Sequence, residues 1–156
     1  MTRTATAGTF ALRAMALADL AQIAAIEAVS FRTPWSEASF RHELDIPFSR
    51  ALVAHPHDEP STVAGYGVFW RVADEIHLLD LAVDGRFQRR GVGVLLARRV
   101  LDEAANGAAR LVTLEVAEGN HAGRRLYDGL GFVTTLVRRD YYGPGEHALV
   151  MERRSP

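Results

Sequence analysis

Short blocks of alternating or helically spaced apolar residues follow one another along nearly all of this 156-residue chain. Residues 9–15 set Phe10, Leu12 and Ala14 against Thr9, Ala11 and Arg13, a period of two that predicts a first strand. Residues 18–29 then read as a helix, with Leu17, Leu20, Ile23, Ala24 and Ile26 (or Glu27) on one face. Pro34 disfavours helix at Thr33, and Ser36 is placed to cap a second short helix that ends before Pro47. Residues 49–55 and 62–70 are rich in strand formers and are expected to form a hairpin. Residues 75–83, EIHLLDLAV, are almost continuously apolar and predict a central strand.

The second half keeps the same alternation of types. Val92, Leu95, Leu96, Val100, Leu101 and Ala104 form one stripe of a helix that Gly107 stops. Residues 111–116 predict a strand, and Asn120 caps a helix that runs to Leu130 and stops at Gly131. Residues 132–141 and 147–152 close the chain as two strands around Gly143-Pro144-Gly145. The order strand, two helices, three strands, helix, strand, helix, two strands predicts one α/β domain over residues 9–156 with a mixed sheet. Residues 1–8 are small and polar and are expected to be disordered. A Rossmann unit fits poorly, because the glycine-rich turn follows three strands instead of the first.

Composition narrows the chemistry. Hydrophobic content is 48%, charged content 24% and net charge −1, which describes an ordinary globular protein and gives no reason to expect nucleic acid as a partner. Without cysteine there is no disulfide framework, thiol nucleophile or cysteine-ligated metal, and a cytoplasmic location is expected. No stretch approaches the roughly 18 apolar residues that span a membrane. All 18 basic residues are arginine, so the chain offers neither a Schiff-base lysine nor a Walker-type phosphate loop. His55 and His57 lack identifiable metal-binding partners, and no metal is expected.

The candidate chemistry gathers around residues 80–96, DLAVDGRFQRRGVGVLL. Gln88-Arg89-Arg90-Gly91-Val92-Gly93 opens a helix after a strand. Bare N–H groups, the helix dipole and neighbouring arginines make an anion site there, suited to a phosphate or pyrophosphate. The plainer alternative is a tight turn that needs glycine only for backbone freedom. Asp80 and Glu115 each interrupt an otherwise apolar strand. An acid so placed is expected to be paired or to have a raised pKa.

The order of elements, the QRRGVG turn after LAVD, and LYDGLGF near the end together resemble the GNAT family of acetyl-CoA-dependent N-acetyltransferases. Within it the chain is most similar to the RimI-type subgroup, which acetylates protein N-termini, through FRTPWSEASF, LEV followed by Gly119-Asn120, and RRDYY. The resemblance covers residues 10–152 and implies the GNAT fold, a single mixed and mostly antiparallel sheet flanked by about four helices.

It also implies a set of roles. The N–H groups of Arg89, Arg90, Gly91, Val92, Gly93 and Val94 would hold the pyrophosphate of acetyl-CoA. The backbone of Leu81, Ala82 and Val83 would pair with the pantetheine arm, and Asn120 would touch that arm as well as cap its helix. A backbone N–H near Val83 would stabilise the oxyanion. Tyr127 would be the general acid, its ordinary pKa of about 10 keeping it protonated at neutral pH. Glu115 would be the general base, with Asp80 as rival. Tyr141, Tyr142, Trp35 and Phe31 would line the acceptor groove, or else pack structurally. The acceptor implied is the N-terminal alanine of a ribosomal protein. Other readings are a small-molecule amine or internal lysine as acceptor, and a non-catalytic acyl-CoA-binding module. Ala117 stands where the subgroup usually has arginine.

Overall fold

A computed structural model describes residues 9–155; the expectation for residues 1–8 lies outside the described residues. In chain order the elements are β1 (Phe10–Ala14), α1 (Leu20–Ser30), α2 (Glu37–Glu43), β2 (Ser49–Pro56), β3 (Gly65–Val72), β4 (Glu75–Val83), α3 (Val92–Asn106), β5 (Leu111–Ala117), α4 (His121–Gly129), β6 (Val133–Gly143) and β7 (Glu146–Arg154). Seven strands form one sheet in the order β1-β2-β3-β4-β5-β7-β6, with β4 at the centre. Every pairing is antiparallel except β4 with β5, which are parallel because the crossover through α3 separates them. The fold is the one the sequence predicts. Among the described residues no helix is long and apolar enough to cross a membrane.

The sheet separates two apolar cores. On one face Val92, Leu96, Val100 and Ala104 of α3 pack with Ile76, Leu78, Val112, Leu114 and Val116. On the other, Leu20, Ile23 and Ile26 of α1 and Phe40 of α2 cover Val53, Tyr66 and Val68. Phe40 meets Tyr66 edge-on, ring centroids 5.6 Å apart. α1 starts two residues later than its apolar spacing suggests, after a 3₁₀ turn over Leu17–Asp19. Asp19 is buried there, taking the N–H of Ala16 at 2.8 Å and both Nη atoms of Arg13 at 2.7 Å. Ser36 caps α2 as its sequence predicts, accepting from the N–H of Ser39 at 3.1 Å.

Two irregularities in this sheet create the site. β4 stays in register with β5 only from Glu75–Leu111 to Leu78–Leu114, and beyond that the strands part. At the same place a bulge opens in the β3–β4 ladder, since Val68 faces Asp80 while Phe69 faces Leu78, leaving Leu79 extra. The bulge reverses the inward-facing parity of β4. Ile76 and Leu78 point into the α3 core, whereas past the bulge Leu81 and Val83 pack against that core and Ala82 belongs to the other.

Candidate active site

The parting of β4 from β5 leaves a cleft of about 720 Å³ that passes through the sheet. Leu78–Leu81 form one wall and Leu114–Asn120 the other; α1 and the 31–35 loop close one side, and Tyr127 of α4 closes the opposite side. Beyond Leu78 the edge of β4 facing β5 has no strand partner among the described residues and offers backbone N–H and C=O groups to a ligand.

Glu115 lies on the face of β5 opposite Val112, Leu114 and Val116 and looks into the cleft, its side chain 35% exposed. It is paired: Arg138 Nε on β6 stands 2.5 Å from its Oε2. Arg138 is half exposed, yet it reaches over β7 to a cleft carboxylate. Tyr127 is buried and meets Phe132 edge-on at 5.6 Å. Burial, then the nearby Asp80 carboxylate, push its phenol well above the ordinary tyrosine range.

Asp80 is buried, and its Oδ2 has no hydrogen-bond donor among the described residues. Burial, followed by hydrogen bonding to Glu27 and the charge of Glu27, pushes Asp80 up to about 9, against a smaller lowering by the Leu81 N–H. Glu27 has 1% exposure. It accepts from the Tyr66 hydroxyl at 2.7 Å and from the Trp35 N–H at 3.0 Å. Sequence spacing admits Glu27 to the buried stripe of α1 but assigns it no chemistry. The signal for one was an acid on an apolar helix face.

The turn after β4 is built as its composition requires. Gly91 caps α3 with φ of 83°, a conformation that costs glycine little. Arg89 also has positive φ, 62°. Val92 is buried in the core while Val94 is exposed. A Cβ on Gly93 would lie 3.7 Å from Val83 and 3.5 Å from Leu126, so the turn sits directly beside the end of β4 and against α4. Arg90 stacks over Phe10 and Phe87, at 5.3 and 5.7 Å, and Arg86 pairs with Asp84 at 2.9 Å. Gln88 Nε2 donates to the Val83 carbonyl at 3.2 Å. Residues 89–94 do not line the cleft itself; they lie past its end, with Val83 between.

Asn120 lines the cleft and caps α4, its Oδ1 accepting from the Gly123 N–H at 2.9 Å. Phe31, Trp35 and Tyr142 also line it, whereas Tyr141 does not and stands 54% exposed. Tyr142 is pushed up by burial and then by the charge of Glu115. An ion pair, Arg32 Nη1 to Glu146 Oε1 at 2.8 Å, joins the 31–35 loop to the β6–β7 turn beside the cleft.

A sheet split between parallel strands, with a glycine-capped helix start at the split end, is the frame on which this acyl-transfer fold is built. The chain belongs to the acetyltransferase (GNAT) family, whose model matches residues 20–132. It is 33% identical over 137 residues to the ribosomal protein bS18-alanine N-acetyltransferase of Salmonella typhimurium, covering 85% of this chain and 89% of the relative. It is 34% identical over 149 residues to the N-alpha-acetyltransferase RimI of Mycobacterium tuberculosis, covering 91% of this chain and 90% of the relative. The crystal structure of the ribosomal-protein-S18-alanine N-acetyltransferase from Escherichia coli superposes with a TM-score of 0.82 at 28% identity, over 93% of each chain.

Proposed function

We propose that this chain, one acetyltransferase domain over residues 9–156, transfers the acetyl group of acetyl-CoA to the N-terminal alanine of a ribosomal protein. The observation that carries the reading is the split between β4 and β5, which leaves an open strand edge leading to a cleft with a carboxylate on one face and a buried tyrosine on the other. Relatives named for that acceptor, matching along most of this chain, support the substrate.

The residues present fit acetyl-CoA. The amide-bearing pantetheine arm needs hydrogen-bond partners along its length, and the open edge at Leu81, Ala82 and Val83 can supply them. The pyrophosphate suits the N–H groups of residues 89–94, where Gly91 starts α3 without a side-chain cap. Acetyl-CoA supplies the activated thioester. The work of the chain is to orient it and handle protons.

Glu115 takes a proton from the acceptor amine. Its half-exposed position at the cleft lets an amine approach from solvent. Tyr127 holds a proton at the buried end and delivers it toward the departing sulfur. The burial that makes Tyr127 a weak acid also raises the basicity of a thiolate released beside it, so the transfer stays matched. A backbone N–H near Val83 would hold the carbonyl oxygen as charge develops, a contact worth about 2.7–4 kcal/mol in such sites. Phe31, Trp35 and Tyr142 give the acceptor chain an apolar and aromatic groove.

The test is acetyl transfer by the purified protein against a panel of peptides and amines. An alanine-start peptide is expected to be preferred over internal lysines, polyamines and aminoglycosides. Preference for a polyamine overturns the acceptor. CoA binding with no transfer to any amine overturns catalysis in favour of a binding module.

A further inference from the structure

Glu27 and Asp80, 53 positions apart, meet at the floor of the cleft, where each is almost fully buried. Both oxygens of Glu27 are already acceptors, from Tyr66 and from Trp35. Glu27 therefore has no donor to offer Asp80 if both are ionised, and Oδ2 of Asp80 is the orphan that results. Two unpaired carboxylates in one buried site are costly, whereas a single proton between them turns an orphan acceptor into a donor. The other ionisable groups facing Asp80 are Tyr66 of β3 and Tyr127 of α4; Glu115 of β5 lines the same cleft. Of the cleft's basic side chains, Arg32 pairs with Glu146 and Arg124 donates to the Glu118 carbonyl, and among the described residues no ion pair joins these, His121 or His147 to Glu27 or Asp80.

Resting on the transferase reading above, we propose that Asp80 is a neutral carboxylic acid whose O–H donates to Glu27, and that this shared proton positions the acceptor wall. The pair carries one negative charge in all. Glu27 grips the N–H of Trp35 at the entry to α2, so α1, the 31–35 loop, β3 and β4 are held by one carboxylate. Asp80 is a positioning residue. With its proton in place it has no capacity to accept another from the amine, which leaves that task to Glu115. The β4 bulge is what makes the contact, since it turns Asp80 away from the α3 core that Ile76 and Leu78 enter.

Asp80 keeps its proton in the folded chain up to about pH 9, whereas an unfolded aspartate loses it near 4. Folding therefore takes up a proton between those values, and this group's contribution to stability declines as pH rises from about 4 to about 9. Asp80→Asn keeps a donor toward Glu27 and removes the titration. The difference Tm(D80N) minus Tm(native) is expected to grow with pH over that window and level off above it.

Three readouts test the proposal. Melting is followed from pH 5 to 10 for both chains; a flat difference overturns it. Carbon-13-labelled aspartate in the native chain is expected to show the infrared band of a protonated carboxyl at pH 7, lost near pH 9 and absent from D80N. No such band at pH 7 overturns the proposal even if D80N does not fold. In transfer to an alanine-start peptide, D80N is expected to hold kcat within about threefold, while Asp80→Ala raises acceptor KM several-fold with CoA affinity retained. A kcat loss of about 10²–10⁴-fold in folded, CoA-binding D80N makes Asp80 the base and overturns the proposal. The melting and infrared readouts use no acceptor, so an error in the substrate is distinguishable from an error about the proton.

Discussion

Arg138 on β6 places its Nε 2.5 Å from Oε2 of Glu115 on β5, although β7 lies between the two strands. The contact engages one oxygen of a carboxylate that lines the cleft and limits how that carboxylate can turn. Both side chains are partly exposed, so the pair contributes about 1 kcal/mol or less to stability. Its effect belongs to orientation. Arg138→Ala is expected to lower kcat about tenfold, an orientation effect in size, while Tm stays within a few degrees. Steady-state kinetics beside a melting curve check this, and an unchanged kcat would mean that the arginine does not orient the acid.

Tyr127 is the residue on which proton delivery to sulfur rests. Its ring is held by the edge contact with Phe132, which phenylalanine at 127 would keep. Tyr127→Phe is therefore expected to fold, to bind CoA within about threefold of the native affinity, and to lose about 10²–10⁴ in kcat. Because burial holds the phenol above its ordinary range, Tyr127 stays protonated throughout a neutral to mildly alkaline assay. A kcat decline between pH 7 and 9 must come from another group and should persist at the same pH in the residual activity of the variant. Isothermal titration with CoA and a pH series of single-turnover rates give both readings.

Element order and faces were legible because period carries them. The near-continuous apolar run of Glu75–Val83 marks β4 as central, and the stripe from Val92 to Ala104 marks the buried side of α3. Glu115, Tyr127 and Asn120 were legible as cleft residues through motif resemblance, and all three line the cleft. The Glu27–Asp80 meeting was not legible, because strict alternation would put Asp80 on the same face as Ile76 and Leu78. One extra residue at Leu79 reverses that parity, and no local residue type announces the bulge. The contact of Arg138 with Glu115 was not legible for a related reason. Reach across an intervening strand depends on tertiary register, which sequence spacing does not encode.

Gly65 was equally silent in the sequence, yet it sets how closely α3 approaches the sheet. A Cβ there would stand 2.9 Å from the Ala82 carbonyl oxygen and 2.9 Å from Val92 Cγ1. One obstacle is backbone and the other is the buried first residue of α3, so neither yields without moving an element that flanks the proposed CoA site. Gly65→Ala is expected to cost about 1–3 kcal/mol, the usual range for overpacking, and to weaken CoA binding. The pairing of the two effects is the point of the test. Reduced Tm with full CoA affinity would show that the helix start relaxes without disturbing the open edge of β4.

Asp19 provides a stability switch far from the chemistry. Burial alone would raise its pKa, but the Arg13 fork and the Ala16 N–H outweigh burial and hold the carboxyl below its ordinary range. A depressed folded pKa contributes stability above the unfolded value near 4, and that contribution disappears as pH falls through the folded value. Asp19→Asn removes the charge and weakens the fork, leaving Arg13 with a neutral partner. A loss of about 1–3 kcal/mol is expected at pH 7, seen as Tm lower by about 2–4 °C for each kcal/mol. The gap should narrow below pH 4, where the unfolded carboxylate takes up its proton, and the ion pair's share should vanish as pH falls through the folded value. Denaturant melts of both chains at pH 7 and pH 3 decide it, and an equal gap at the two pH values would place the effect in packing of the 3₁₀ turn instead of in the ion pair.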